Sequence, residues 1–156
     1  MRLSECEIKE KAELVDIIER ADVCRIAFAV DKTPYIVALN YGYEWDGTLR
    51  LYAHGAIEGR MIDCMKKNPF VCFQMDIGHG LFRGKTAHQW GMTYKSIVGY
   101  GTLTIIEGTD ERKRALDLIM AHYGSKGNNV YDEKALEDTC VLRLEASEVV
   151  GKKRVK

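Results

Sequence analysis

Four polar side chains have the type and setting to bind or move charge: Arg60, His54, Lys95 and Ser96. Arg60 opens an amphipathic helical stretch directly after LYAHGAIEG, residues 51–59, which reads as a strand running into a glycine-bearing turn. The first turn of a helix has free N–H groups that favour an anion, and a guanidinium can give two directed hydrogen bonds to phosphate oxygens. The segment therefore reads as an anion-binding, phosphate-anchoring unit. The alternative is a first-turn arginine whose stem packs on the sheet. Lys95 and Ser96 offer an ammonium and a hydroxyl, and strand alternation sends them to opposite faces. Ser96 is expected in the pocket, with Lys95 at its rim or in solvent. His54 can hydrogen-bond a ligand or carry a proton near neutral pH, or it can be a half-buried packed residue.

The remaining reactive residue types point to less. His79 and His88 lie in a glycine-rich stretch, and their spacing from each other and from the thiols matches no zinc motif, so no metal site is expected. His122 falls at an amphipathic helical position and reads as packing. Cys6, Cys24, Cys64, Cys72 and Cys140 are an odd set without a CxxC pair, so reduced thiols are expected. Cys24, Cys72 and Cys140 sit in apolar strand-like runs, where cysteine acts as a small core residue. Tyr35, Asn40, Tyr41, Tyr43 and Trp90 lie near strand ends and the long loop, where a planar ligand can rest, although aromatics are also ordinary core material. A GxSxG elbow, a P-loop and a GxGxxG fingerprint are all missing, which removes support for the common hydrolase, NTPase and Rossmann readings.

The elements that must position these residues follow from periodicity. Lys9 to Ala21 sets Ala12, Leu14, Val15, Ile17 and Ile18 on one helical face. VCRIAFAV, PYIVALNYGY and TLRLYAH are β-rich runs separated by Asp31-Lys32-Thr33-Pro34 and Trp45-Asp46-Gly47, which predicts three consecutive antiparallel strands. Arg60 to Lys67 is a short helix stopped by Asn68-Pro69 before the strand FVCFQMD. Ile77 to Thr93 has four glycines and no clean period, so it reads as a long loop. Tyr94 to Glu107 is a strand in which Gly99 and Gly101 signal a bend, a bulge or a close backbone contact. A helix over Glu111 to Tyr123, capped at Thr109-Asp110, is followed by the loop GSKGNNV, a short acidic helix or turn, and a last strand, CVLRLEASEVVG.

About six strands with early hairpins and no strand-helix-strand rhythm predict a mainly β fold, a small antiparallel barrel with short flanking helices. A length of 156 residues suits one domain, 1–156. Lysine plus arginine equals aspartate plus glutamate at 23 each, so the basic face of a general nucleic-acid binder is not expected. The longest apolar runs are too short to span a membrane and the N-terminus lacks a signal-peptide core, so a cytoplasmic location is expected.

The ordered set VCRIAF, PYIVALNYGYE, LYAHGAIEGRMIDCMKKNPFVCFQMD, TYKSIVGYGTLTIIEG and ERKRALDLIMAHY resembles the FMN-binding split-barrel proteins related to pyridoxamine 5'-phosphate oxidase, in particular their 5-nitroimidazole resistance (nitroreductase-like) branch. The likeness runs from about Asp22 to Val150 and rests on the ordered combination. It implies a six-stranded split β-barrel, a homodimer, and two FMN sites in clefts between the subunits. Val37, Ala38, Leu39 and Asn40 would offer backbone groups to the ring. Tyr52, Ala53, His54 and Arg60 would meet the flavin and its phosphate. Ser96 would supply a polar contact with Lys95 nearby, and Trp90 and Met92 would cover the ring from the partner subunit. The paired basic residues of true pyridoxamine phosphate oxidases appear here only as Gly59-Arg60, and their substrate signature is missing after Glu148. The implied activity is electron transfer from reduced FMN to a small organic acceptor, with His54 the catalytic candidate. The alternative is a non-catalytic flavin or haem binding module, a carrier or sensor.

Overall fold

A computed structural model describes residues 6–155. The strand β1 (Glu7–Ile8) leads into α1 (Lys11–Arg20), which buries Leu14, Ile17 and Ile18. The strands β2 (Cys24–Val30) and β3 (Thr33–Leu39) form a hairpin closed by Asp31-Lys32, with Asp31 left-handed at φ 56°, a conformation aspartate tolerates better than most residues. After Asn40, β4 (Tyr41–Trp45) and β5 (Leu49–Ala56) form a second hairpin, turned at Gly47 with φ 119°. Then come α2 (Arg60–Lys67), β6 (Phe70–Phe82), β7 (Gly91–Ile105), α3 (Thr109–His122), α4 (Glu133–Glu137) and β8 (Thr139–Arg154).

All pairings are antiparallel, in the order β3-β2-β6-β7-β8-β5-β4, with β1 added beside β8. The two end strands of that order, β3 and β4, are joined through the single residue Asn40. A sheet whose first and last strands are neighbours in the chain has to curl until its ends meet, so the sheet is barrel-like. It is not closed by a hydrogen-bonded ladder among the described residues, where β3 pairs only with β2. The alternation in β2, β6 and β7 puts Ile26, Phe28, Val71, Phe73, Met75 and Ile97 inside, where α1 and α2 add Ile17, Ile18, Ile62 and Met65 to one cluster. A second, smaller cluster joins α3 to the outside of the barrel through Tyr52, Ile106, Ala115, Ile119 and Val141. At Gly42 on β4 the approach of α3 is so close that a Cβ would run into the helix backbone at Leu118 and Ile119.

The mainly β reading, the early hairpins, α2 and its Asn-Pro stop are as expected. Three details differ. The run PYIVALNYGY is two strands, and the sheet has eight strands instead of six because β3 and β4 separate and β1 adds a short edge. The expected long loop over 77–93 is mostly an arm: β6 continues to Phe82, β7 begins at Gly91, and the register shifts between Ile77 and Gly80. The first turn of α3 begins at Thr109, with Gly108 in the capping position. The expectation for the later glycines holds, since β7 and β8 shift register between Tyr100 and Gly101, and a Cβ on Gly99 would meet the Phe73 ring.

Candidate functional site: the slot between β3 and β5

The ladder between β4 and β5 ends at Tyr41 and Ala53. Extending that register would set Asn40 opposite His54 and Val37 opposite Ile57, yet no strand pairing continues there. The chain at Leu39 turns to pair with β2 on one side, while His54, Gly55 and Ala56 pair with β8 on the other. Two strand edges therefore diverge and leave an open seam, with unpaired backbone donors and acceptors on β3 over Val37, Ala38 and Leu39. Asn40 sits at the closed end of the seam, exposed, its Nδ2 donating to the Asp22 carbonyl at 3.5 Å.

Arg60 stands at the open end. Its guanidinium carbon lies 4.7 Å from the centre of the Tyr35 ring on β3, so it bridges the two sides of the seam. Gly59, at φ 122°, makes the sharp entry into α2 that places it there, and α2 is held against the barrel by Ile62 and Met65. Lys67 reaches Asp31 at 3.1 Å on the adjoining hairpin, whereas Arg60 has no carboxylate partner among the described residues. Arg60 is thus partly the packed arginine of the second reading, with its charge still available. A planar, phosphate-bearing molecule laid along this seam would find backbone hydrogen bonds at one end and a cation with helix N–H groups at the other.

The other expected site residues do not all converge. Ala53 is buried facing the barrel interior. Tyr52 is buried on the outer face under α3, its hydroxyl donating to Glu44, which also takes a bond from Arg114, so only its backbone is near the seam. Burial would push the Glu44 carboxyl up, and the bonds from Tyr52 and Arg114 outweigh it and hold the carboxyl low. The side chain of His54 leaves the sheet on the same outer face as Tyr52, exposed, toward α3 and α4. Lys95 points toward α1, its side chain partly exposed. Its Nζ is 3.3 Å from Asp16 and 3.8 Å from Glu13, so its charge is already matched. Ser96 takes the opposite face, beside Asp76 and Lys152, its hydroxyl donating to the Lys152 carbonyl at 3.4 Å.

Ser96 lies three strands from β3, roughly 14 Å at the usual inter-strand spacing, so one chain does not bring it to Arg60. Its surroundings are polar: Arg25 donates to Asp76 at 3.0 Å, and His79 is 2.6 Å from the same carboxylate. Trp90 is at the tip of the arm, 48% exposed, its Nε1 donating to the Gly84 carbonyl at 3.1 Å and its face covered by the Arg83 guanidinium. Met92 follows it on the exposed side of the arm. Within one chain the seam, Arg60 and the backbone before α2 belong together, while Ser96, Lys95 and Trp90 lie elsewhere.

A curled antiparallel sheet with a seam of this kind matches a known architecture. A profile of the pyridoxamine 5'-phosphate oxidase family covers residues 10–153. The chain belongs to that family. A protein of Bacteroides thetaiotaomicron, assigned provisionally to 5-nitroimidazole antibiotic resistance, is similar in structure at a TM-score of 0.82 and 32% identity, over 94% of this chain and 86% of that one. The flavocytochrome Anf3 of Azotobacter vinelandii matches at 0.80 and 17% identity, over 100% of this chain and 72% of that one. A FAD and heme binding protein of Mycobacterium smegmatis matches at 0.82 and 17%, over 96% and 74%. The last two share the fold alone. Comparison with curated proteins gives no match. This member of the pyridoxamine 5'-phosphate oxidase family therefore has a fold found in proteins named for flavin and haem binding. Among its described residues no helix is long and apolar enough to cross a membrane.

Sequence reasoning missed two features of the region. It named Tyr35 without seeing that Arg60 would lie on its ring, since residues 25 apart meet only through the curl of the sheet. It also missed the residues in front of His54, namely Leu116, Met120, Tyr131 and Leu136, because 132–139 read as a short acidic helix or turn with no packing partner and the helical face singled out was Ala115, Leu118, Ile119 and His122.

Proposed function

We propose that the seam binds FMN and that the protein is a flavin-dependent oxidoreductase passing electrons to a small organic acceptor. The observation that carries this is the placement of Arg60 across the seam from the free edge of β3. Arg60 and the first N–H groups of α2 take the phosphate, and the edge of β3 over Val37, Ala38, Leu39 and Asn40 gives hydrogen bonds to the ring system. FMN supplies hydride or electron transfer when bound. The chain's part is to hold the ring and exclude water from one face; His54, the catalytic candidate, is on the strand that forms the other side of the seam, with its side chain on the outer face toward α3 and α4.

Two copies make each site. Ser96 and Trp90, too far from Arg60 within a chain, would come from the partner's arm and sheet face. The outer surface of β3, β2, β6 and β7 supports this reading. It exposes Ile36, Phe70, Val98 and Tyr100, with Phe70 and Tyr100 stacked at 6.2 Å, a row of large apolar side chains that a lone chain leaves in water.

The visible spectrum of the purified protein tests the proposal. Flavin bands, bleached by dithionite and restored by an organic acceptor, are expected. A Soret band in their place would favour the haem reading suggested by the named haem-binding relatives. A colourless protein that takes up neither group would end both.

A further inference from the structure

At the closed end of the seam β3 and β4 are joined only by Asn40, and among the described residues β3 has β2 as its one strand partner. A strand held along one side keeps its angle to β5 through whatever fixes that junction. We propose that Tyr123, just past the end of α3, is a positioning residue for the flavin: its hydroxyl fixes the Asn40–Tyr41 peptide and thereby the edge of β3 that faces the flavin ring. This rests on the flavin site proposed above and adds to it a residue outside the seam.

The hydrogen bonds form a closed circuit around that peptide. The Tyr41 N–H donates to the Tyr123 hydroxyl at 3.2 Å, that hydroxyl donates to the Asp22 carbonyl at 2.7 Å, and the same carbonyl accepts from Asn40 Nδ2 at 3.5 Å. A hydroxyl can accept and donate at once, so one group holds both the backbone after Asn40 and the acceptor of its side chain. Tyr41 is the last rung of the β4–β5 ladder, paired with Ala53. Its N–H meets the Tyr123 oxygen where a neighbouring strand would offer a carbonyl.

Tyr123 is itself held firmly. Gly124, at φ 97°, closes α3 directly after it, with the Gly124 N–H on the Ala121 carbonyl at 3.0 Å and the Ser125 N–H on the Met120 carbonyl at 2.9 Å. The helix lies against Gly42 on β4 with no room for a Cβ between them, so its last turn cannot drift from the junction. The Tyr41 side chain has separate supports: its hydroxyl donates to the Ile18 carbonyl at 2.6 Å, and its ring lies 4.5 Å from that of His122, whose Nε2 is 3.1 Å from the Ala21 carbonyl. Loss of the Tyr123 hydroxyl would therefore leave the Tyr41 ring packed and release the peptide alone.

Tyr123→Phe makes that change. Amide hydrogen exchange of the full-length protein without flavin, then FMN titration and the visible spectrum of the bound form, test the role. In the variant, exchange at residues 38–41 is expected to quicken by about fivefold or more while the amides of β6 and β7 keep their rates. FMN should bind about fivefold to tenfold more weakly, with its visible bands displaced, because hydrogen bonds to the ring tune its electronics. Arg60→Ala, which acts on the phosphate, should weaken binding without displacing the bands, and Lys95→Ala, a purely structural loss, should change neither. Unchanged exchange at 38–41, a general rise across the sheet, or wild-type affinity and bands in Tyr123→Phe would overturn the proposal. A wild-type protein that takes up no FMN would end the flavin reading and this role with it, an outcome that the wild-type spectrum separates from failure of the Tyr123 role alone.

Discussion

At the scale of single residues, Arg60 combines a packing contact with a charge that no carboxylate matches among the described residues, which is what the proposed binding role needs. Its guanidinium rests on Tyr35, which fixes where the charge points, and no carboxylate competes for it among the described residues. Lys95, next to the serine that alternation favoured, is the contrasting case, with its charge spent on Asp16 and Glu13. Substituting Arg60→Ala should therefore weaken FMN binding by at least about tenfold, the loss of a charge-assisted bond of roughly 1.5–3 kcal/mol, measured by fluorescence titration. Lys95→Ala should leave that affinity nearly unchanged and lower thermal stability instead. Equal affinity losses in the two variants would remove the distinction. The position of Arg60 at the start of α2 was readable in the sequence because a strand, a glycine turn and a helix start follow each other in LYAHGAIEGR. The commitment of Lys95 was not, because its partners are about 80 residues away on α1.

At the scale of elements, what the sequence revealed and what it hid divide along a physical line. Hairpins, α2 and the Asn-Pro stop are written in local turn chemistry and period. The break at Asn40 is not, since alternation runs through it undisturbed and only a change of strand partner separates β3 from β4. The arm over 77–93 was obscured because its glycines and two exposed faces erase the apolar alternation that marks a strand. Two contacts between elements give predictions. Gly42→Ala should cost about 2–3 kcal/mol of stability, because its Cβ meets the rigid backbone of α3 and neither side can turn away. Chemical denaturation measures this, and a neutral result would mean that α3 sits farther from β4.

The clasp of α1 to the barrel gives the second. Lys153 donates to Glu13 at 2.8 Å, the main reason its carboxyl is held below the ordinary 4.5. For Asp16, burial pushes the carboxyl up, but bonds from Arg20 and Lys95 prevail and keep it below 3.8. A lowered folded value means the unfolded chain binds more protons, so this stability is complete above the ordinary carboxylate range and is lost as the pH falls through it. Melting temperature should hold from neutrality to about pH 5 and fall below that, with Lys153→Met showing a lower plateau and a shallower decline. An acid profile unaffected by Lys153→Met would show that the clasp contributes nothing.

At the scale of the whole molecule, the residues proposed to bind flavin sit on two separate surfaces of one chain: the seam with Arg60, and the sheet face and arm with Ser96 and Trp90. Association of two copies through the outer sheet would bring one chain's second surface to the other's seam, and would bury Ile36, 64% exposed, together with Phe70, Val98 and Tyr100. Val98 separates these possibilities because it is central to that face yet exposed within the chain, so a charge there should disturb association without disturbing the barrel. For Val98→Glu the expected outcome is a folded monomer by sedimentation, with an unchanged far-ultraviolet spectrum and no bound flavin. A dimer that keeps its flavin would place the interface elsewhere. A monomer that keeps it would mean that the seam and Arg60 suffice, leaving Ser96 and Trp90 without a part in the site.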